Sequence, residues 1–364
     1  MTEYEHRRSG DSVTLFDNDF PSADSEDPEL EKVHRHLLRL DPDGATFARV
    51  LRGTIDQLLD GEHTGRFDWH DLHKTEKTHA GTLVEINLQR EFKFASHAED
   101  SSIHMDYLIE GVEVDCKFSQ KRYGWMIPPE ALGEVCLVVW ADDHQSLWGA
   151  GLFRADRSAL TMSEGVTKKG NRDGKFRLTR EHHGLVRWLW YDKPLRENLL
   201  LHLPVGVRTL ILNPPAGRLD SGQARVNELF SRIHNVAIDR EVIRTLGKQR
   251  DYMARVREDK SSRNRARTKL RPDGIIILGP SKLHQQIAEK LGGAVPQGGE
   301  FVAHRVRRTR LGDDTSKAAE IEGNLWIIAS PSNPSEMAPK LPSKQQPIDP
   351  HLPKDDLITL EDHT

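Results

Sequence analysis

The stretch from Met105 to Phe118, MDYLIEGVEVDCKF, constrains the fold more than any other part of the chain. Tyr107, Leu108 and Ile109 form a short apolar run, and Glu110-Gly111 interrupts it as a turn would. Val112, Val114, Cys116 and Phe118 then alternate with Glu113, Asp115 and Lys117. Apolar residues at period two, several of them β-branched, predict a strand, and the two runs together predict a hairpin. With Val114, Cys116 and Phe118 facing a core, Asp115 and Lys117 must share the opposite face, one step apart. Asp106 opens the first strand, so folding the hairpin can bring its carboxylate to Asp115.

Two carboxylates and a lysine converging on one spot suit phosphodiester hydrolysis. The carboxylates offer hard oxygen ligands to Mg²⁺, and the backbone carbonyl of Cys116, between Asp115 and Lys117, can be a further ligand. The ion activates water and offsets charge on the phosphate, while the lysine orients the nucleophile or helps to deprotonate it. The same stretch also describes a solvated strand face on which Asp, Glu and Lys alternate. Upstream, Thr78 to Phe92 reads as a helix with Ala80, Leu83, Val84 and Leu88 on an apolar stripe. Glu85 sits beside that stripe, where it can point into a cleft. Glu, then Asp, then Asp-x-Lys is the order of a nuclease core in which a helix packs beside a catalytic hairpin.

Charge distribution points to a polyanion. The chain of 364 residues carries a formal net charge of −4, which by itself favours nothing. Residues 218–310, however, hold 21 Lys and Arg against 10 Asp and Glu, whereas residues 1–31 hold 2 against 10 and residues 311–364 hold 4 against 10. A basic block between acidic ends, dominated by arginine, predicts a nucleic-acid-binding module. The longest apolar runs, such as Val135 to Trp140, are far too short to span a bilayer. The first residues lack an apolar signal region. Cys116 and Cys136 fall in predicted buried strands and argue against a disulfide framework, which together fit a reducing cytoplasm.

Taken in order, residues 1–28 are acidic, lack periodicity and are expected to be disordered. Helices are expected over Asp27 to Leu40 and Ala45 to Leu59, separated by the Asp-Pro-Asp-Gly turn. His70, His73 and His79 lie close together, but no cysteine is near and the intervening Glu of zinc proteases is missing, so surface or capping roles are expected. Lys121 and Arg122, in the polar loop after the catalytic strand, suit phosphate or base contacts, and solvation of a loop equally. The apolar runs Val135 to Trp140 and Leu147 to Phe153 add buried strands, giving an α/β core with a mixed sheet over residues 29–190. Ser163 to Lys175 reads as a Gly- and Lys-rich loop, and residues 191–197 as a linker.

A second domain is expected over residues 198–329. Ala224 to His234 is amphipathic, Asp239 caps a helix through Leu246, Gly247 turns, and Arg250 to Glu258 continues helically. That spacing predicts a helix-turn-helix, against which a large Ile243 and a polar Lys248 stand as departures. Arg255, Arg257, Arg263, Arg265, Arg267 and Lys269 are the candidate DNA contacts there, and Arg305 to Arg310 adds a phosphate-positioning patch. Residues 330–364 are expected to form a flexible tail.

The segments LHKTEKTHAGTLVEINLQREF, DYLIEGVEVDCKFS, GWMIPPEALGEVCLVVWA, GQARVNELFSRIH and LRPDGIIILG together resemble the NaeI family of type II restriction endonucleases, from about Leu30 to about Ala329. The resemblance implies that Glu85 is the helix-borne catalytic carboxylate, Asp106 the first metal-binding aspartate, and Asp115, Cys116 and Lys117 the local form of the Asp/Glu-x-Lys signature. It further implies Mg²⁺ as cofactor, a restriction-endonuclease-like mixed sheet with flanking helices, and a second, catabolite-activator-like (winged-helix) domain in which a copy of the DNA site acts as effector. Double-stranded DNA is thus the implied partner, both as substrate and as effector, with a homodimer giving two-fold symmetry for a palindromic site. Asp56 to Arg66 faintly resembles the nucleotide-binding segment of DNA ligases, but Leu58 stands where a lysine nucleophile would be needed, so no ligase activity is expected. Two rival readings stay open: a non-enzymatic helix-turn-helix regulator with an inactive nuclease scaffold, and a repair nickase.

Overall fold

The computed structural model describes residues 27–96, 105–162, 174–215, 221–257 and 263–342. Residues 1–26, most of the Ser163 to Lys175 loop and the tail beyond Pro342 lie outside them, and so do the expectations made for those stretches. The chain divides into two compact units, Met1–Arg208 and Thr209–Thr364.

In the first unit, α1 (Pro28–Leu40) starts where the Asp27 carboxylate accepts from the Leu30 amide at 3.0 Å. The chain then turns through Gly44 into α2 (Ala45–Leu59). Gly44 has φ +77°, and a Cβ there would lie 2.8 Å from the Trp148 ring, so only glycine fits the turn. A short α3 (Gly61–Thr64) and the long α4 (Lys74–Phe92) complete the helical layer. The strands follow: β1 (Tyr107–Ile109), β2 (Val112–Ser119), β3 (Val135–Asp142), β4 (Leu147–Arg154), a small pair β5 (Leu160–Met162) and β6 (Phe176–Leu178), then β7 (Arg187–Pro194) and the short α5 (Leu199–His202). The main sheet has the order β1-β2-β3-β4-β7, with β2 and β3 parallel and the other neighbours antiparallel. It is the mixed α/β arrangement expected from the sequence.

β3 explains why its sequence is a continuous apolar run rather than an alternation. Val135, Leu137, Val139 and Ala141 pack on the face that also buries Leu37 of α1, Leu51 of α2 and Leu88 of α4. Cys136, Val138 and Trp140 pack on the other face with Trp125, Ile127, Phe153 and Val186. A strand covered on both sides needs apolar residues at every position. Both cysteines are buried and unbridged.

The segment expected to be a linker, 191–197, is not one. Lys193 and Pro194 still pair with Trp148 and Leu147 of β4, and the Asn198 side chain donates through Nδ2 to Phe67 O at 2.7 Å and to Asp143 Oδ2 at 3.1 Å. Pro194 ends an edge strand, where a missing N–H is tolerated, and the division falls later, within α6 (Val205–Leu212).

The second unit contains α7 (Ser221–Arg232), β8 (Ile238–Asp239), α8 (Arg240–Gly247), α9 (Ala266–Lys269), β9 (Ile275–Leu278), α10 (Lys282–Leu291), β10 (Glu300–Arg308), β11 (Ala319–Ile321) and β12 (Asn324–Ile328). β10 is its axis, pairing antiparallel with β8, β9 and β12 along successive parts of its length. Asp239 caps α8 as expected, accepting from the Glu241 amide at 2.6 Å. The next expected helix is instead a single 3₁₀ turn, Tyr252–Arg255. Its carbonyl at Arg255 accepts from the Gln223 side chain at 2.9 Å, and a side-chain donor there takes the place of the next helical amide.

One buried ion network ties the helical layer to the β3–β4 turn. Arg52 of α2 donates to Asp56 Oδ1 at 2.7 Å and to Asp143, whose carboxylate is 1% exposed. Removing the guanidinium leaves that charge uncompensated, a defect that costs about 3–5 kcal/mol. Arg154, which reaches Asp27 and Glu29 nearer the surface, should cost only about 1 kcal/mol when removed. Urea unfolding of Arg52→Ala and Arg154→Ala is expected to show this inequality, and equal losses would contradict it.

Candidate active site

The hairpin that dominates the sequence forms as read, with Ile109 opposite Val112 and Tyr107 opposite Val114. Its two-residue turn has positive φ at both positions, 52° at Glu110 and 78° at Gly111, the geometry that matches strand twist. Continuing the register one step sets Asp106 across from Asp115. On the other side β2 pairs with β3, with Asp115 beside Cys136 and Lys117 beside Val138. Val114 and Cys116 join the core under the helices, so Asp115 and Lys117 lie on the opposite face. That face is not the solvated one an alternating pattern also allows, because Asp115 is 4% exposed.

Three of the four predicted groups meet in direct contact. Lys117 Nζ donates to Asp115 Oδ1 at 2.6 Å and to the Cys116 carbonyl at 3.0 Å, and lies 3.5 Å from Asp106 Oδ2. Asp106 Oδ2 accepts from the Cys116 amide at 2.7 Å. The fourth, Glu85, comes from α4, which begins four residues earlier than expected and buries Ala80, Val84 and Leu88. Tyr107, which sequence reasoning had placed only in the apolar run, fastens α4 to the hairpin by donating its hydroxyl to Glu85 O at 2.9 Å. Cys136 Sγ lies 3.9 Å from Asp115 Oδ2 and lines the same spot. The signal for both was register, which needs the neighbouring strand and cannot be read from one strand alone.

The electrostatics follow from setting two carboxylates against one ammonium, with the Glu85 carboxyl near enough to feel all three charges. Burial, aided by the charges of Asp106 and Asp115 and opposed by Lys117, pushes the Glu85 carboxyl up to about 7. Burial likewise pushes Asp115 up to about 6 despite its bond to Lys117. Burial pulls the Lys117 ammonium down, but the charges of Asp115 and Asp106 outweigh it and hold the group above its ordinary value. Lys117 is thus held as an ammonium by its carboxylate neighbours. Glu85, Asp106, Asp115 and the Cys116 carbonyl are all hard oxygen donors with an excess of negative charge, a set that suits Mg²⁺ and not a soft metal.

Set against known proteins, the chain matches the family model described as Restriction endonuclease NaeI over residues 31–337. The chain belongs to the NaeI restriction endonuclease family. It is 48% identical over 320 residues to the Type II restriction enzyme NaeI of Lentzea aerocolonigenes, a match that covers 87% of this chain and 96% of that protein. Among the described residues no helix is long and apolar enough to cross a membrane.

The basic candidates fare unevenly. Arg122 does not project from its loop: it bonds Tyr191 and Asp192 and lies over the Trp140 ring, 4.8 Å from its centroid. Arg255 is buried, packed against Gly222 and Gly247 with its guanidinium on Gln249 Oε1 at 2.6 Å, so it holds the fold of its own unit. Arg265 donates to the Ala254 carbonyl and Arg267 to the Ile277 carbonyl at 2.9 Å. Arg307 is paired with Asp313 at 2.6 Å and Arg305 with the Asn333 carbonyl at 2.5 Å. Lys121, Arg257, Arg263 and Lys269 are exposed.

The raised carboxyls carry a stability consequence. Between the ordinary carboxylate range and about 7, the folded chain binds more protons at Glu85 and Asp115 than the unfolded one, so stability falls as pH rises through that window. With chelator present, Glu85→Gln is expected to raise the thermal midpoint at pH 8 and to change it little at pH 4. Discounted for the solvent that reaches Glu85, the gain is about 1 kcal/mol, or about 2–4 °C. A lower midpoint at pH 8 would contradict the crowding.

Proposed function

We propose that this chain is a Mg²⁺-dependent type II restriction endonuclease that hydrolyses both strands of a specific double-stranded DNA site. The reading rests above all on Asp106, Asp115 and Lys117 meeting beside the Glu85 helix in a chain of this family. Glu85, Asp106, Asp115 and the Cys116 carbonyl oxygen would hold the ion. When bound, Mg²⁺ supplies a Lewis acid that lowers the pKa of water and offsets charge on the scissile phosphate.

The chain's own groups do the rest. Lys117, kept charged, places an ammonium where negative charge develops and aligns the attacking water against the phosphorus. Its bonds to Asp115 and the Cys116 carbonyl fix that ammonium before substrate arrives. Glu85, pushed up to about 7 by burial and by Asp106 and Asp115, would give up its proton on joining them around the ion. Asp106 is already oriented by the Cys116 amide. Asp115→Ala and Lys117→Ala are each expected to lower cleavage of a site-bearing plasmid by about 10²–10³-fold or more while duplex binding persists. Specific binding by the wild type with no cutting in Mg²⁺ would favour a regulator, and relaxed rather than linear product a nickase.

The second unit, with its basic excess, is proposed to bind a further copy of the site as effector, in a homodimer whose two-fold axis matches a palindromic target. Arg257, Arg263 and Lys269 are the exposed candidates for that contact, and Lys121 for the substrate backbone. A one-site plasmid should then be cut slowly until a short duplex carrying the site is added. Equal rates on one-site and two-site plasmids would remove the effector role and leave the catalytic assignment standing.

A further inference from the structure

Away from the candidate active site, a second cluster of ligating side chains forms where two distant segments meet. Asp68 lies in the segment that leads into α4, and the 3₁₀ turn Trp69–Asp71 beside it carries His70. His144 comes from the β3–β4 turn. Asp68 Oδ1 accepts from His70 Nδ1 at 3.0 Å and from His144 Nε2 at 3.0 Å, and the two rings stand 4.5 Å apart. One ligand atom from each residue lies within 4.8 Å of the other two.

We propose that Asp68, His70 and His144 form a binding site for a divalent transition cation of the zinc class. Two imidazole nitrogens and one carboxylate oxygen are a donor set for such ions and a poor one for Mg²⁺ or Ca²⁺. Donors about 2.0–2.2 Å from a tetrahedral centre stand about 3.4 Å apart. The two measured separations of 3.0 Å come close to that, and turning the exposed rings makes up the difference. Three ligands leave a fourth position to water.

Both segments are held rigidly before any ion arrives. Asp142 accepts from the His144 and Gln145 amides at 2.9 and 3.1 Å, which fixes the turn, and Arg52 anchors the neighbouring Asp143. Asn198 bridges Phe67 O and Asp143, so the residues preceding Asp68 and His144 are tied to each other independently. The ion is a staple between the approach to the Glu85 helix and the β3–β4 turn. It touches no reacting group.

The test uses the untagged full chain carrying Asp115→Ala, which removes cation binding at the catalytic cluster, stripped of metal and titrated with Zn²⁺ by calorimetry and Co²⁺ by visible absorption. One equivalent is expected to bind, with Co²⁺ giving ligand-field bands of nitrogen coordination. At a hundredfold excess over Kd, Zn²⁺ should raise the thermal midpoint by about 5–10 °C. Adding His70→Ala and His144→Ala should abolish binding and the thermal shift while circular dichroism stays unchanged. His144→Gln alone should weaken binding by about tenfold or more. No Zn²⁺ binding by the Asp115→Ala chain, or affinity indifferent to the histidine substitutions, would overturn the proposal.

Discussion

The bond from the Cys116 amide to the Asp106 carboxylate sets the terms for everything around it. Among the described residues β1 pairs with β2 over Tyr107–Ile109, and beyond Tyr107 no described strand takes the Cys116 amide. Asp106 Oδ2 takes that amide at 2.7 Å, so a side chain stands where backbone pairing would otherwise continue. A longer β1 would fill the edge and leave no opening at Asp115 and Lys117. The two-residue turn is what makes the distance right, because a slip of one residue would turn Asp106 to the other face. Glu110 in that turn holds a left-handed conformation that disfavours side chains, and its pairing with His36 at 2.5 Å and Arg39 at 3.6 Å offsets the strain while pinning the hairpin to α1.

The placement of Asp115 looks unfavourable until charge is considered with geometry. A buried carboxylate two residues from a lysine on the same strand face gets a partner at fixed range, yet the set as a whole remains over-supplied with negative charge. Such a cluster is destabilising by itself, a local strain that the rest of the fold must offset. The flanking layers make this tolerable. Each face of β3 carries its own apolar core, and the site sits at the sheet's open edge, away from both centres.

The hairpin, the helix of Glu85 and the buried strands were legible because each depends on local periodicity. The meeting of Asp106, Asp115 and Lys117 was legible for the same reason: turn and alternation bring those residues together through short-range rules. What escaped was long-range. Pro194 suggested a linker by composition, but the edge position of β7 permits a proline there. The spacing of Arg250 to Glu258 suggested a helix, yet Gln223, more than two dozen positions earlier, supplies a competing donor to Arg255. His70 is exposed, as expected, yet the β3–β4 turn brings His144 beside it, a neighbour that no local pattern announces. His73 did behave as a cap residue, its amide donating to Glu76 at 2.8 Å.

Arginine content is a poor guide to how much charge a surface presents. Guanidinium groups have five donors in a planar fork, so they satisfy orphaned carbonyls inside irregular structure as readily as they meet phosphates. In the second unit Arg265 does so for Ala254 in the 3₁₀ turn and Arg267 for Ile277 of β9, while Arg255 bonds the Gln249 side chain. The local excess of basic residues therefore overstates the charge presented at the surface, since among the described residues Arg257, Arg263 and Lys269 are exposed while Arg255, Arg265 and Arg267 spend their donors inside their own unit.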